Sequence, residues 1–264
     1  MSDQVVVVTG AAGRIAGYLR ARMRRTGRCL RLLDTTAPSD LTDGEEAHTG
    51  SVTDRDVVRR AVMGADAVVH LAGIPTEAAW EEIVDVNVGG TQAVLHASAE
   101  AGVRTVVVAS SNHAAGFWSR PTDGSLLADD VPPRPDSFYG WSKAAVESLG
   151  RMYHERYGMT VMNLRIGWCS DHPGTRRGAE IWLSPGDAAR LVEASIAPSV
   201  TGFHTVWGVS ANSTSWWSTA GGEAIGYRPQ DDSEAYASQL TEPDMAWPSP
   251  LGGPFTTNPL GRRL

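Results

Sequence analysis

The chain has 264 residues, 42% hydrophobic and 20% charged, with a formal net charge of −7. This is the length of one large domain and the composition of a globular protein, and the acidic balance argues against nucleic acid as a partner. Two cysteines, Cys29 and Cys169, and seven scattered histidines form neither a disulfide framework nor metal-ligand spacing.

The first element is Gln4–Thr9, a β-branched run of the kind found in strands buried on both faces. It ends in Thr9-Gly10-Ala11-Ala12-Gly13-Arg14-Ile15-Ala16-Gly17. Gly10 and Gly13 permit a tight turn and a close backbone approach, so the next helix presents its leading amides to a pyrophosphate. Ala16 occupies the place where a third glycine often lies, and it is small enough to keep helix and strand close. The helix is expected from about Arg14 to Thr26, with the arginines from Arg20 to Arg28 at its solvated end. A second strand follows at Cys29–Leu33 and ends at Asp34. That carboxylate can accept both adenosine ribose hydroxyls and repel a 2′-phosphate, which favours NAD over NADP. The bland reading of Asp34 is a turn acid before Thr35, Thr36 and Pro38, and Arg14 and Arg31 leave some room for NADP.

Further strands are expected at Ala67–Leu71, Val103–Ser110 and Thr160–Ile166, and helices at Asp54–Val62, Asn87–Ala101 and Phe138–Tyr157. Alternation at this spacing implies βαβ units with right-handed crossovers. The fold class is therefore α/β: a doubly wound parallel sheet of the dinucleotide-binding Rossmann type, with a small substrate-binding extension at the carboxyl end. The core is expected over residues 1–166. Residues 167–264 are expected to supply smaller elements over one sheet edge, within the same domain. The Pro- and Gly-rich tail, Thr241–Leu264, is expected to lie extended along the surface or against another subunit of a homo-oligomer. No signal segment precedes the first strand and no apolar run reaches about 18 residues, so a cytoplasmic protein with no membrane partner is expected.

Lys143 is the one lysine in the chain, against 22 arginines. It lies in Tyr139-Gly140-Trp141-Ser142-Lys143, a Tyr-x-x-x-Lys pair on the helix from Phe138. Residues four apart share a helix face, and a nearby cation favours phenolate, pulling the tyrosine from near ~10 toward neutrality. Such a phenol can act as a general base. Arg, planar and wide, replaces a compact ammonium poorly. The bland reading is an exposed lysine that escaped the arginine bias. The strand ending at Ser110 continues into Ser111-Asn112-His113, which puts these side chains at the carboxyl end of the sheet, where ligands collect.

The order of glycine-rich loop, strand-end serine and Tyr-x-x-x-Lys resembles the short-chain dehydrogenase/reductase superfamily. His70-Leu71-Ala72-Gly73 and Val86-Asn87-Val88-Gly89-Gly90-Thr91 are similar to its extended branch. Ser110 to His113 with Gly116-Phe117, Arg165-Ile166-Gly167, Val206 to Asn212 and Gly252 to Phe255 resemble the hexuronate (uronate) dehydrogenases, over almost the whole chain. The resemblance implies NAD bound by Gly10, Gly13, Arg14, Ile15, Asp34, Ser51, Val52, Leu71, Ala72, Gly73 and Asn87, with Tyr139 and Lys143. It makes Tyr139 the base, assigns Lys143 to the phenol and the nicotinamide ribose, and has Ser111 orient the reacting hydroxyl. It places Pro75, Asn112, His113, Trp168 and Arg177 at the substrate, Arg177 as a carboxylate fork. His113 as a loop cap and Arg177 as a solvated cation are the bland alternatives.

Three departures stand out: Pro75 and Trp168 where that family carries serines, and Ser51 where the extended branch often carries an aspartate. The expected reaction is NAD-dependent oxidation of a secondary or hemiacetal hydroxyl on a uronate-like sugar acid or related small polar molecule. A plain hexuronate is expected to fit poorly, because Trp168 would crowd the pocket. The alternatives are a sugar epimerase or dehydratase, and a catalytically silent dinucleotide-sensing regulator.

Overall fold

The computed structural model describes residues 4–36, 38–242 and 250–263. In chain order the elements are β1 (Gln4–Thr9), α1 (Arg14–Met23), β2 (Arg28–Asp34), β3 (Glu45–Thr49), α2 (Arg55–Val62), β4 (Ala67–His70) and α3 (Trp80–Ile83). A π turn at Val84–Gly89 carries α3 into α4 (Gly90–Glu100), followed by β5 (Thr105–Ser111) and a 3-10 turn at Asn112–Ala115. Then come α5 (Phe138–Tyr157), β6 (Thr160–Ile166), β7 (Trp168–Cys169), α6 (Arg176–Glu180), β8 (Trp182–Leu183), α7 (Pro185–Ser195), β9 (Phe203–Gly208) and α8 (Ala220–Ala224).

Seven strands form one sheet in the order β3-β2-β1-β4-β5-β6-β9, every neighbouring pair parallel. Successive side chains on a strand point to opposite faces, so β1 feeds two apolar layers. Val6 and Val8 pack with Leu19, Met23 and Leu191 on the side of α1 and α7. Val7 packs with Val58, Val94, Leu95 and Val146 on the side of α2, α4 and α5. Burying each such side chain contributes roughly 1.5–3 kcal/mol before entropy is counted, and the two layers hold the sheet rigid between its helices. The chain leaves β1 toward β2 and β3 on one side and resumes at β4 on the other. The crevice at the carboxyl ends of β1 and β4 is therefore the topological switch point, where α/β proteins take ligands.

The doubly wound parallel sheet matches the expected class. Two of its strands carry no clear sequence signal. β3, Glu-Glu-Ala-His-Thr, is polar because it lies at the sheet edge, largely in water. β9 lies beyond residue 166, in the stretch expected to hold only smaller elements, yet it is the seventh strand and runs beside β6. The helix expected from Asn87 starts earlier, at Trp80, with Asn87 inside the π turn.

The tail also differs from expectation over residues 250–263; residues 243–249 lie outside the described residues. Leu251, Gly252 and Gly253 are buried. Leu251 N–H donates to the Trp118 carbonyl (2.8 Å) and Gly252 N–H to the Gly116 carbonyl (2.8 Å). The Leu251 side chain joins Trp207, Trp216 and Trp217 in a separate apolar cluster, which makes burial more favourable than an extended surface path. Among the described residues no helix is long and apolar enough to cross a membrane.

Candidate active site

At the switch point a cleft of about 620 Å³ is lined by Gly10, Gly13, Arg14, Ile15, Asp34, Ser51, Val52, Leu71, Ala72 and Gly73. Gly10 has φ +69°, and a Cβ there would lie 2.8 Å from the Ala72 nitrogen, so the loop can press onto the end of β4 only as glycine. Gly13 caps α1 with no side chain, and no acid lies in the first turn, so the leading amides and the positive end of the helix dipole face the cleft. The Asp34 carboxylate accepts Ala12 N–H (3.0 Å) and Thr36 N–H (3.2 Å), which ties the end of β2 to the glycine loop. Ser51 closes a local turn with Thr53 (2.8 Å), and Val52 packs where a Cβ on Gly90 would collide, 2.7 Å from its Cγ2. Arg31 is held by Glu46 (3.1 Å) and by the carbonyls of Ala61 and Met63. It is not among the residues lining this cleft.

The floor of the cleft is organised by two side-chain relays. Ala72 N–H donates to Thr9 Oγ1 (3.1 Å), and Thr9 Oγ1 pairs with His70 Nδ1 (2.7 Å). His70 Nε2 pairs with Thr91 Oγ1 (3.0 Å), and that hydroxyl donates to the Asn87 carbonyl (2.6 Å). Since the Thr91 hydroxyl spends its proton on Asn87, His70 must carry its own on Nε2 and accept at Nδ1. Burial, and then the charge of Lys143, lower the His70 pKa to about 3, so the ring stays neutral. In the second relay Asn87 clamps the Ile74 backbone, accepting its N–H (2.7 Å) and donating to its carbonyl (3.1 Å), and also donates to Ser142 Oγ (3.0 Å). The π turn is what aims Asn87 at both Ile74 and α5.

Tyr139 and Lys143 lie on the first turns of α5, both buried. Ser137 caps that helix by accepting Gly140 N–H (2.9 Å). Glu77 accepts Tyr139 N–H (2.9 Å), Phe138 N–H (3.3 Å) and Gly261 N–H (2.7 Å), a carboxylate on the positive end of the dipole that also ties down the tail. Farther along, Glu147 holds Arg165 of β6 through two bonds (2.9 and 2.8 Å) and accepts the Ser110 hydroxyl (2.6 Å). The neighbouring serines are thereby sorted: Ser110 faces this buried ion pair, and Ser111 faces the phenol of Tyr139.

The Tyr139 pKa differs from the sequence expectation. Burial pushes it up to about 12, partly offset by the Ser111 hydroxyl, while the negative Asp136 adds to the rise. Lys143 does not pull the phenol down here. Its ammonium donates to the Ala109 carbonyl (2.8 Å), lies 5.6 Å from the centre of the Tyr139 ring, and is itself lowered by burial to about 8. Desolvation of the phenolate dominates, while the ammonium is engaged with the Ala109 carbonyl.

Beside Tyr139, the His113 ring lies against Phe255 (4.0 Å between centroids), and its Nδ1 pairs with Asp136 Oδ2 (2.7 Å). Gly116 and Gly252 leave room for that carboxylate; a Cβ on either would lie within 2 Å of Asp136 Oδ2. Asn112 Nδ2 (3.4 Å) and Arg177 Nη2 (2.6 Å) both donate to the Leu251 carbonyl, so the tail segment forms one wall of the site. Arg177 is largely enclosed, its pKa lowered by burial, and among the described residues no carboxylate lies within ion-pair distance of it. Arg177 and Trp168 line a second cavity of about 480 Å³ that also reaches Arg14. Trp168 is 46% exposed and its ring lies 5.4 Å from the guanidinium of Arg14, a residue that lines both cavities. Pro75 lines the larger cleft with Ile74 and Ala109.

Glu77, Asp136, Phe255 and Leu251 are the site residues that sequence reasoning missed. Asp136-Ser137 directly before the Tyr139 helix has the look of a helix start, and Phe255 lies in the Gly252–Phe255 segment that carries the family resemblance without a role being assigned to it. Glu77 lies 62 residues from its partner Tyr139, and Leu251 lies 74 from Arg177.

A glycine-rich cleft at the switch point, a strand-end serine facing a buried tyrosine, and a Tyr-x-x-x-Lys pair on the following helix define a short-chain dehydrogenase-type protein. Residues 6–179 match the NAD dependent epimerase/dehydratase family. The chain is 35% identical over 261 residues to a uronate dehydrogenase of Agrobacterium fabrum, covering 97% of both. It is 37% identical over 255 residues to an NAD-dependent glucose-6-phosphate dehydrogenase of Haloferax volcanii, covering 89% of this chain and 96% of that one. A solved mutant of the Agrobacterium tumefaciens uronate dehydrogenase complexed with NAD superimposes with a TM-score of 0.90 at 33% identity, covering 100% of both chains. The chain belongs to the NAD dependent epimerase/dehydratase family.

Proposed function

We propose that the protein is an NAD-dependent dehydrogenase that oxidises a ring hydroxyl, hemiacetal or secondary, of a uronate-like sugar acid. The donor set fits the cofactor: leading amides on α1 with no side-chain cap for the pyrophosphate, Asp34 for the adenosine ribose, and Lys143 beside Gly73, with Tyr139, for the nicotinamide ribose. When bound, NAD supplies the hydride acceptor. Once ionised, a state that the Ser111 hydroxyl favours and burial opposes, Tyr139 takes the hydroxyl proton at its phenolic oxygen, and Ser111 also orients that hydroxyl. His113, fixed by Asp136 and Phe255, and Asn112 bound the sugar ring.

The observation that carries the substrate reading is Arg177. A largely enclosed guanidinium has five N–H donors, and the only hydrogen bond it makes among the described residues is to the Leu251 carbonyl. A substrate carboxylate can take a parallel pair of the remainder. Trp168 lines the same cavity as Arg177, half-exposed and with its ring against the Arg14 guanidinium, so it bounds the space offered to the sugar ring. The test is turnover of glucuronate and galacturonate with NAD by wild type and Arg177→Ala. Loss of one partner of such a pair costs on the order of 2–5 kcal/mol, read as a KM raised at least about 30-fold. Unchanged turnover of both acids by Arg177→Ala would remove the clamp from this account.

A further inference from the structure

Arg177 shares the single turn of α6 with Glu180, three residues on, and the two interact electrostatically. Glu180 is an unusual acid for this location. It is 7% exposed, and among the described residues its carboxylate oxygens are met by Trp216 Nε1, which donates to Oε2 (2.7 Å), and by the half-exposed Arg120, 3.9 Å from Oε1. A loose, solvated arginine at that distance compensates a buried carboxylate poorly. We propose that Glu180 sets how strongly the site prefers an anionic sugar over a neutral one, acting through Arg177 as a positioning residue. The inference rests on the reading of Arg177 as the carboxylate clamp.

The mechanism is a competition for one cation. Ionised, Glu180 claims part of the Arg177 field and repels an incoming carboxylate; protonated, it leaves the guanidinium to the substrate. Burial is the main reason its carboxyl sits at about 7, with Trp216, Arg120 and Arg177 pulling the other way, so the switch falls in the working range of pH. Arg14, Asp171 and His172 line the same cavity as Arg177, and other charged groups approach the pair from the remaining sides. Arg120 approaches from the loop after Trp118, and Asp136, paired with His113, acts on the far side of Arg177. The 3-10 turn at Ser233–Gln239 packs on α6 through Ser233, whose hydroxyl donates to the Ala179 carbonyl (2.9 Å), while its acid, Glu234, is exposed. Of Glu180, Asn212 meets the backbone carbonyl (3.5 Å), its other bonds going to Trp182 and Ser233. Coupling between two sites is reciprocal, so an anion held by Arg177 must raise the Glu180 pKa by the same factor that ionised Glu180 weakens the anion.

The test compares glucuronate with glucose, which carries a neutral hydroxymethyl in place of the carboxylate, on the NAD-loaded full chain between pH 6 and 8.5. Affinity is read as KM where a sugar is oxidised and as a competitive inhibition constant where it is not. For wild type the ratio of glucuronate to glucose affinity is expected to fall about tenfold across this range, the size of one pKa unit of coupling. In Glu180→Gln, which keeps an acceptor for Trp216, the ratio is expected to stay flat within about twofold and to sit at its low-pH value. Taking the ratio cancels the titration of Tyr139 and of the cofactor site. A wild-type ratio that does not change with pH overturns the proposal, as does a Glu180→Gln ratio that falls as steeply as wild type. Glucuronate that binds and titrates as expected without being oxidised overturns the substrate reading and leaves the role of Glu180 standing. Glucuronate that does not bind at all overturns both.

Discussion

Lys143→Met is expected to make the protein more stable while removing its activity. Lys143 is buried, and its pKa is lowered from 10.5 to about 8. At 1.36 kcal/mol per unit that depression amounts to about 3 kcal/mol spent on keeping an ammonium in a dry place. A lysine with a lowered folded pKa binds its proton less tightly folded than unfolded. Its cost is therefore full below about pH 8, fades as pH rises toward 10.5, and is absent above that. A methionine of similar reach removes the charge and forfeits the bond to the Ala109 carbonyl (2.8 Å), which returns about 1–2 kcal/mol. The net gain is about 1–2 kcal/mol at pH 7, or a Tm higher by about 2–6 °C for a chain of this size. Thermal unfolding of both proteins without cofactor at pH 7 and pH 10 reads it, and the gap should close at the higher pH. A variant that melts below wild type at pH 7, or a gain equal at both pH values, would refute the reasoning.

Glu147→Gln strands the buried Arg165 and should cost about 3–5 kcal/mol in urea unfolding, far beyond an exposed pair. Asp34→Ala should narrow a wild-type preference for NAD over NADP in fluorescence titrations, by weakening NAD and removing a repulsive charge; a wild type that prefers NADP would contradict the role given to Asp34. Because Arg31 is held by Glu46, Arg31→Ala should leave NADP affinity within about twofold of wild type.

The parts of this site written in contiguous residues are legible from sequence. The glycine loop, the strand-end serines and the Tyr139–Lys143 pair each lie within a few residues of the element that positions them, so their spacing marks them as candidates, while their roles come from the family resemblance. Asp34 belongs with these, one strand further on. The structure adds what depends on distant partners: Glu77 on the amides of α5, the Glu147–Arg165 pair that separates Ser110 from Ser111, and the tail carbonyl of Leu251 between Asn112 and Arg177. Strand β9 is hidden for a related reason. Its run Phe-His-Thr-Val-Trp-Gly mixes polar and aromatic residues because one end is half-buried, and only its pairing with β6 identifies it. The direction of the Tyr139 shift escapes sequence reasoning altogether, since burial is a property of the assembled site and here exceeds the effect of a neighbouring amine.

The most direct measurement is absorbance of reduced nicotinamide when NAD and glucuronate are mixed with wild type and with Tyr139→Phe. The account predicts net reduction by wild type in step with the acid consumed. It predicts turnover at least about 100-fold slower in the variant, with NAD affinity nearly kept, because only the proton acceptor is gone. Conversion of the sugar without net reduction, or wild-type turnover by Tyr139→Phe, would contradict it.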